Sequence, residues 1–326
     1  MKVLFLYNNY KKFNYRIHKG FIVKLSKFCD FNIYGPKEHE DNPELAPVEY
    51  DKKITGKDLI GLFNPDIFLF NIHNSDCLSW YPKDICKVGI PSALITQDHY
   101  TRIKELQAVD KENVVLDWCG NSGLTLLIQR HFYEENQSSI QTVWFPHCVN
   151  EEEFYPDENV ERKNIIGFAG SSNKGLYYAI RHRAREILKG NNLLDNDSGK
   201  LGAEKYPRYL RNHVGALACA GGILHTSLSR TFEIPLSGTA MMTNWMHESK
   251  TLFGDKQCFF TYKDDLSDVV NVANTILNDK DMVKEVTSNA LEVVREKHTD
   301  HIRIMELADI LLSLVEGKEV PKVWGR

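Results

Sequence analysis

The feature that most constrains this chain is the alternation of short apolar runs with segments whose apolar residues recur at helical spacing. Parallel strands need a long crossover, usually a helix, so this rhythm selects a layered α/β architecture over bundles or sandwiches. The pattern predicts strands at Val3–Tyr7, Phe31–Tyr34, Asp66–Ile72, Ser92–Thr96 and Gln141–Phe145. A helix is expected with Ile17, Phe21, Ile22, Leu25 and Phe28 on one face, and Leu124–Tyr133 also reads as helical. A second cycle starts at Asn164–Ala169, a near-continuous apolar run as expected for a strand covered on both faces. Leu176, Ile180, Ala184, Ile187 and Leu188 form the next helical stripe. Further strands are expected at Thr239–Thr243 and Gln257–Tyr262, then a helix over Leu266–Leu277 and a helical tract from Met282 to about Leu314.

With 326 residues, 42% hydrophobic and 26% charged, the chain can bury two medium cores. The acidic, aliphatic-poor stretch Asn150–Lys163 is the expected linker. The reading is therefore α/β, with one domain over residues 1–155, a second over 160–300, and a helix and tail over 301–326. The last helical tract is too long for one small domain to cover, so it is expected to cross back to the first.

Charge and cysteines narrow the classes. Net charge is −4, which argues against a protein built to coat nucleic acid. Basic residues nevertheless gather in KKFNYRIHKGFIVK near the amino end and in RHRAR (181–185), which keeps nucleic acid open as a substrate. The seven cysteines are scattered and never in C-x-x-C spacing, so neither a disulfide framework nor a zinc site is expected. No run reaches the ~18–20 apolar residues of a membrane span. A cytoplasmic protein is the expectation.

Chemistry concentrates at Arg230-Thr-Phe-Glu233-Ile-Pro-Leu-Ser-Gly238. Ser229 is placed to N-cap a short helix, whose free N–H groups and Arg230 would attract phosphate. Glu233, one turn on, would accept ribose hydroxyls, and Gly238 would let the next strand begin tightly. The plain alternative is an Arg–Glu surface pair. A second element, Gly167-Phe-Ala-Gly170-Ser171-Ser172-Asn173-Lys174-Gly175, lies between a strand and a helix. It matches neither phosphate-loop fingerprint. Gly170 permits close backbone approach, and Ser171 and Lys174 offer donors to a diphosphate.

The segments RTFEIPLSGTAMMTN and LFGDKQCFFTYKDDLSDVV resemble the donor domain of group-1-type glycosyltransferases, in the branch that includes spore-maturation-type proteins. The shared core is R-x-x-E-[IV]-x-x-x-G. FPHCVNEEEFYP resembles the family's interdomain hinge, and His298-Thr299 with Arg303 resembles a feature of its final helix. The resemblance implies a GT-B fold, two Rossmann-like domains facing a cleft. It also implies hexosyl or pentosyl transfer from a nucleoside-diphosphate sugar such as a UDP-sugar, used as co-substrate with no bound cofactor. It assigns His225 and Ser227 to the donor site.

The acceptor's proton would then go to a base in the first domain. Asp98, just past the strand Ser92–Thr96, is the first candidate, followed by His99 and His73; His18 is a further one. A retaining enzyme would need no such base. Asp195-Asn-Asp197 is a D-x-D, but it sits among turn residues, so no metal is expected. The acceptor stays open among polysaccharide, protein, small molecule and modified DNA. An epimerase or a non-catalytic sugar-nucleotide-binding protein could use the same scaffold.

Overall fold

Each apolar cycle folds into its own parallel sheet. The structure, a computed structural model, describes residues 1–7, 21–35, 43–72, 81–96, 118, 121–131, 140–170, 178–195, 201–202, 204–219 and 225–324. The chain divides into two units, Met1–Pro146 with Ile304–Arg326, and His147–Arg303. No helix among the described residues is long and apolar enough to cross a membrane.

The first unit carries β1 (Lys2–Leu6), β2 (Asp30–Tyr34), β3 (Ile67–Ile72), β4 (Ser92–Thr96), β5 (Leu126–Gln129) and β6 (Gln141–Trp144), in the order β2-β1-β3-β4-β5-β6. Every pair is parallel. α1 (Gly56–Phe63) precedes β3 and opens on a capping box between Thr55 and Asp58. Leu4, Leu6, Phe68, Phe70 and Leu94 form part of its buried core.

β5 corrects the expectation of a helix at Leu124–Tyr133. Leu126, Leu127 and Ile128 are fully buried in a strand paired with β4 and β6. A short, wholly apolar run has no periodicity by which a helix and a two-sided strand can be told apart. Phe28 departs too. Residues 21–23 are helical, but a tighter 3-10 turn over Lys24–Lys27 follows. Its different pitch leaves Phe28 exposed while Phe21, Ile22 and Leu25 stay inside.

The second unit holds β7 (Lys163–Gly167), β8 (His213–Leu217), β9 (Ala240–Thr243) and β10 (Phe260–Thr261), in the order β10-β9-β8-β7 and parallel throughout. Its helices are α2 (Ala179–Gly190), α3 (Tyr206–Arg211), α4 (Arg230–Leu236), α5 (Ser249–Phe253), α6 (Val269–Asn278) and α7 (Lys280–Lys297). The sequence pattern did not reveal β8, because its centre is made of small residues. A Cβ at Gly215 would lie 2.7 Å from Ile276 and 3.0 Å from Ile166, so the absent side chain is what lets α6 settle on the sheet. Arg162 ties three elements together, donating to the carbonyls of His213 and Ser237 and to the Thr239 hydroxyl at 3.0–3.1 Å.

The tract from Met282 is two helices, α7 and α8 (Asp300–Val315). They separate at His298-Thr299, where Val149 N–H donates to the His298 carbonyl and Asp300 N–H donates to the Val149 carbonyl. The imidazole of His298 is wholly buried, with Nε2 2.8 Å from the Leu252 carbonyl and Nδ1 2.7 Å from the Arg303 guanidinium. The carbonyl needs a donor and the guanidinium needs an acceptor, so the ring is the neutral Nε2–H tautomer. Burial, with the Arg303 charge adding to it, holds His298 down to about 3.

A histidine whose folded pKa lies below its unfolded value of about 6.5 binds its proton only on unfolding. Its contribution is complete above the unfolded pKa and is lost as pH falls from there toward the folded value. Unfolding free energy measured by urea titration is expected to fall by up to about 1.4 kcal/mol per pH unit below pH 6 from this group. His298→Gln, which keeps a donor and an acceptor, should flatten that slope. An unchanged slope in the variant would remove His298 as its source.

Candidate functional site

β7 ends against Phe168, whose ring is fully buried and whose backbone N–H donates to the Tyr209 hydroxyl at 3.0 Å. Two residues on, Gly170 adopts φ +154°, a region L side chains rarely occupy. A Cβ there would lie 2.2 Å from a terminal nitrogen of Arg230. Glycine thus allows the Arg230 guanidinium to lie against the backbone that leaves β7. This is the approach the sequence suggested for a ligand, occupied here by a side chain of the second motif.

Arg230 opens α4. Ser229 does not cap it in the expected way: its backbone is already helical and its side chain makes no capping bond. Instead Leu228 N–H donates to the Thr231 hydroxyl at 3.0 Å. α4 has seven residues, too few peptide dipoles to hold an anion by itself, so positive potential at this point rests on guanidinium groups.

Glu233 is 4% exposed, and its Oε2 accepts a hydrogen bond from the Tyr206 hydroxyl at 3.0 Å. Burial pushes the Glu233 carboxyl up, while the Arg230 charge and hydrogen bonds from Tyr206 and Ser229 oppose the shift. Burial, and then the Glu233 charge, raise the Tyr206 phenol well above its ordinary value, so it remains a donor. A surface Arg–Glu pair is therefore not what α4 presents. Gly238, at φ +66°, turns the chain into β9 with its Cβ position filled by Pro156 and Arg162.

His225 also has positive φ, at 48°. Its ring lies 3.1 Å from the Trp245 carbonyl through Nδ1 and 3.3 Å from Asp264 through Nε2. Trp245 is 52% exposed and packs edge-on against His247. Ser227 is buried, with its N–H donating to Glu248 Oε1, which also accepts from the Thr226 hydroxyl at 2.8 Å. The Ser227 hydroxyl has no partner among the described residues.

Gly170, Arg230 and Glu233 therefore come together, joined by Tyr206. His225 and Ser227 belong to neighbouring groups built around Asp264 and Glu248. Ser171, Lys174, Asp98, His99, His73 and His18 lie outside the described residues, as does Asp197. Asp195 of the D-x-D pattern is held by His213 Nε2 at 2.6 Å and Lys163 at 3.3 Å, which fixes the start of β8 beside β7. Among the described residues no group of three or more His, Cys, Asp or Glu side chains could hold a metal ion.

Trp245 escaped the sequence reading, and Tyr206 carried no assigned role in it, because hydroxyl and indole placement depends on folding.

Gly170→Ala tests the close approach. The flexible guanidinium can swing aside more cheaply than backbone, so the expected cost in urea unfolding is about 1–2 kcal/mol, mostly from φ. A variant as stable as the parent would show that the chain tolerates a side chain beside Arg230.

No protein-family model matches the chain, and no curated protein matches it. Solved structures do. The sucrose-phosphate synthase of Thermosynechococcus elongatus is 12% identical at TM-score 0.65, covering 98% of this chain and all of its own. Anabaena HepE, solved with UDP and with UDP and glucose, is 13% identical in its UDP complex at TM-score 0.65, with 96% and 100% covered. A Listeria monocytogenes protein assigned as a UDP-N-acetylglucosamine 2-epimerase is 11% identical at TM-score 0.55, with 98% of both chains covered. At such identities the likeness is one of fold, and the chain has the α/β GT-B fold.

Proposed function

We propose that this protein is a glycosyltransferase that moves a hexosyl or pentosyl group from a nucleoside-diphosphate sugar to an acceptor hydroxyl. The carrying observation is the buried carboxylate Glu233, held by the Tyr206 hydroxyl beside Arg230, where the guanidinium meets the side-chain-free backbone of Gly170. A carboxylate accepts paired hydroxyls, as on a ribose, and a guanidinium binds phosphate oxygens. The two lie one helical turn apart on α4. His225, Ser227, Ser171 and Lys174 complete the donor site in this reading, with Gly238 supporting it from behind. HepE, with the same fold, has been solved with UDP, which supports a UDP-sugar as donor.

In transfer, the acceptor oxygen bonds to the anomeric carbon while the bond from that carbon to the diphosphate breaks, leaving its electron pair on the phosphate oxygen. The acceptor's proton goes to a base, for which Asp98 is preferred over His99 and His73. No metal or bound cofactor is required in this reading, and the protein works in the cytoplasm. The spore-maturation-type branch is the proposed affiliation. The epimerase-assigned neighbour favours one rival, which would rearrange or release the nucleotide without any acceptor.

Glu233→Ala is expected to weaken nucleotide binding by about 1–3 kcal/mol, read by calorimetry with UDP, GDP and dTDP. If the variant binds all three as tightly as the parent, the site is misplaced. Asp98→Asn keeps the side chain's shape but removes proton acceptance. Single-turnover transfer should fall by about 10²–10⁴-fold with donor affinity unchanged. Full activity would pass the role to His99 or His73, or to a retaining mechanism.

A further inference from the structure

Between the loop that leaves β9, the short helix α5 and the start of β10 lies a pocket of about 320 Å³, at the small end of the range for ligand sites. Its lining includes Trp245, Phe253, Ser249, Gln257 and Thr261. Trp245 is half exposed, which leaves in water an apolar ring surface that a ligand would cover. The indole is nevertheless held in place, packed edge-on against His247 at 4.4 Å and tilted against His225 at 5.3 Å. Phe253 is buried and stacks on Phe232 of α4 at 5.9 Å, so the pocket is anchored to the helix that carries Arg230 and Glu233.

The polar groups of this pocket are of two kinds. Its ammonium groups are already matched: Lys250 pairs with Asp255 at 3.1 Å and Lys256 with Glu292 at 2.8 Å. Little surplus positive charge is left to draw a phosphate or a nucleic-acid backbone. The Ser249 and Thr261 hydroxyls and the Gln257 side-chain amide, by contrast, make no hydrogen bond among the described residues. Each of these groups both donates and accepts, as a sugar hydroxyl does. A sugar ring also presents a face of C–H groups, which packs on the negative face of an aromatic ring. An indole rimmed by uncharged amide and hydroxyl groups is complementary to such a molecule, and it offers no free cation to an acidic one.

We infer that this pocket binds a neutral saccharide, with one sugar ring on Trp245 and its hydroxyls on Ser249, Gln257 and Thr261. Resting on the reading above, the acceptor is then a glycan of more than one residue, and the pocket holds a unit of it that does not react. Trp245 packs on His225, which that reading places in the donor site, so the two sites are neighbours within one unit.

The test applies the full chain and its Trp245→Ala, Trp245→Phe and Gln257→Ala variants to an array of neutral and acidic oligosaccharides. Calorimetry with UDP, GDP and dTDP reads nucleotide affinity, and thermal unfolding reads the fold. The parent is expected to retain a subset of the neutral glycans. Trp245→Ala should weaken that binding by roughly 10–100-fold, the loss typical of a central aromatic contact, and Trp245→Phe should restore most of it. Gln257→Ala should weaken it by about 2–10-fold, as for one hydrogen bond, with nucleotide affinity unchanged. Should Trp245→Ala fail to fold, the exposed Gln257 carries the test. No glycan binding by the parent, retention of acidic glycans alone, or binding that neither alanine variant weakens would overturn the inference. Nucleotide binding that Gln257→Ala weakens would assign the pocket to the donor and overturn it too. If neutral glycans bind as expected while no nucleotide binds, the saccharide site stands and the transfer reading falls. If nucleotides bind and no glycan does, that reading stands and the saccharide site falls.

Discussion

Parallel pairing in the second unit depends on backbone coming close to other groups where a side chain would ordinarily keep them apart, and the candidate site is built from those approaches. Gly215 lets α6 press on β8, and Gly167 faces the His213 ring at distances a Cβ would not allow. The carboxyl edge of such a sheet is where loops are free to carry ligand groups. Gly170 and Arg230 meet there. Were β7 and β8 antiparallel, the chain leaving β7 at Gly170 and the chain leaving β8 toward Arg230 would start from opposite ends of the sheet, and these groups would not converge.

Burial sets the electrostatics. The buried Glu233 carboxylate accepts from the half-buried Tyr206 hydroxyl, and its charge is opposed by Arg230. Of the three arginines around Phe168, Arg181 is buried while Arg185 and Arg230 are partly exposed. In such surroundings each charge counts for more than on the surface, both as a cost when unpaired and as a gain when matched. His298 shows the same logic with the opposite outcome: neutral and hydrogen-bonded on both nitrogens, it marks the turn from α7 into α8 and carries no charge into the core.

Much of the fold was legible in the chain. Ser92–Thr96 was read to the residue, and the runs at Val3–Tyr7, Phe31–Tyr34 and Asp66–Ile72 to within a residue at either end, because β-branched and aromatic residues bounded by turn residues leave few other conformations. The elements that were missed share one property. Leu126–Gln129 is too short to show a period, His213–Leu217 is too small-residued to look apolar, and the break at His298-Thr299 is made by Val149, a residue distant in sequence. Local pattern carries no information about such partners.

The chain by itself determined that the fold is layered α/β, that it has two cycles, and that Arg230 and Glu233 stand one helical turn apart. Those follow from periodicity and spacing, which are properties of neighbouring residues. Only the tertiary structure decided that Glu233 is buried against Tyr206, that Arg230 lies on Gly170, and that Arg181 and Arg185 turn inward to Phe168 while Arg183 faces water. Charge in a sequence is a count, whereas charge at a site is a matter of which face of a helix meets the core, and that face is chosen by packing between elements far apart in the chain.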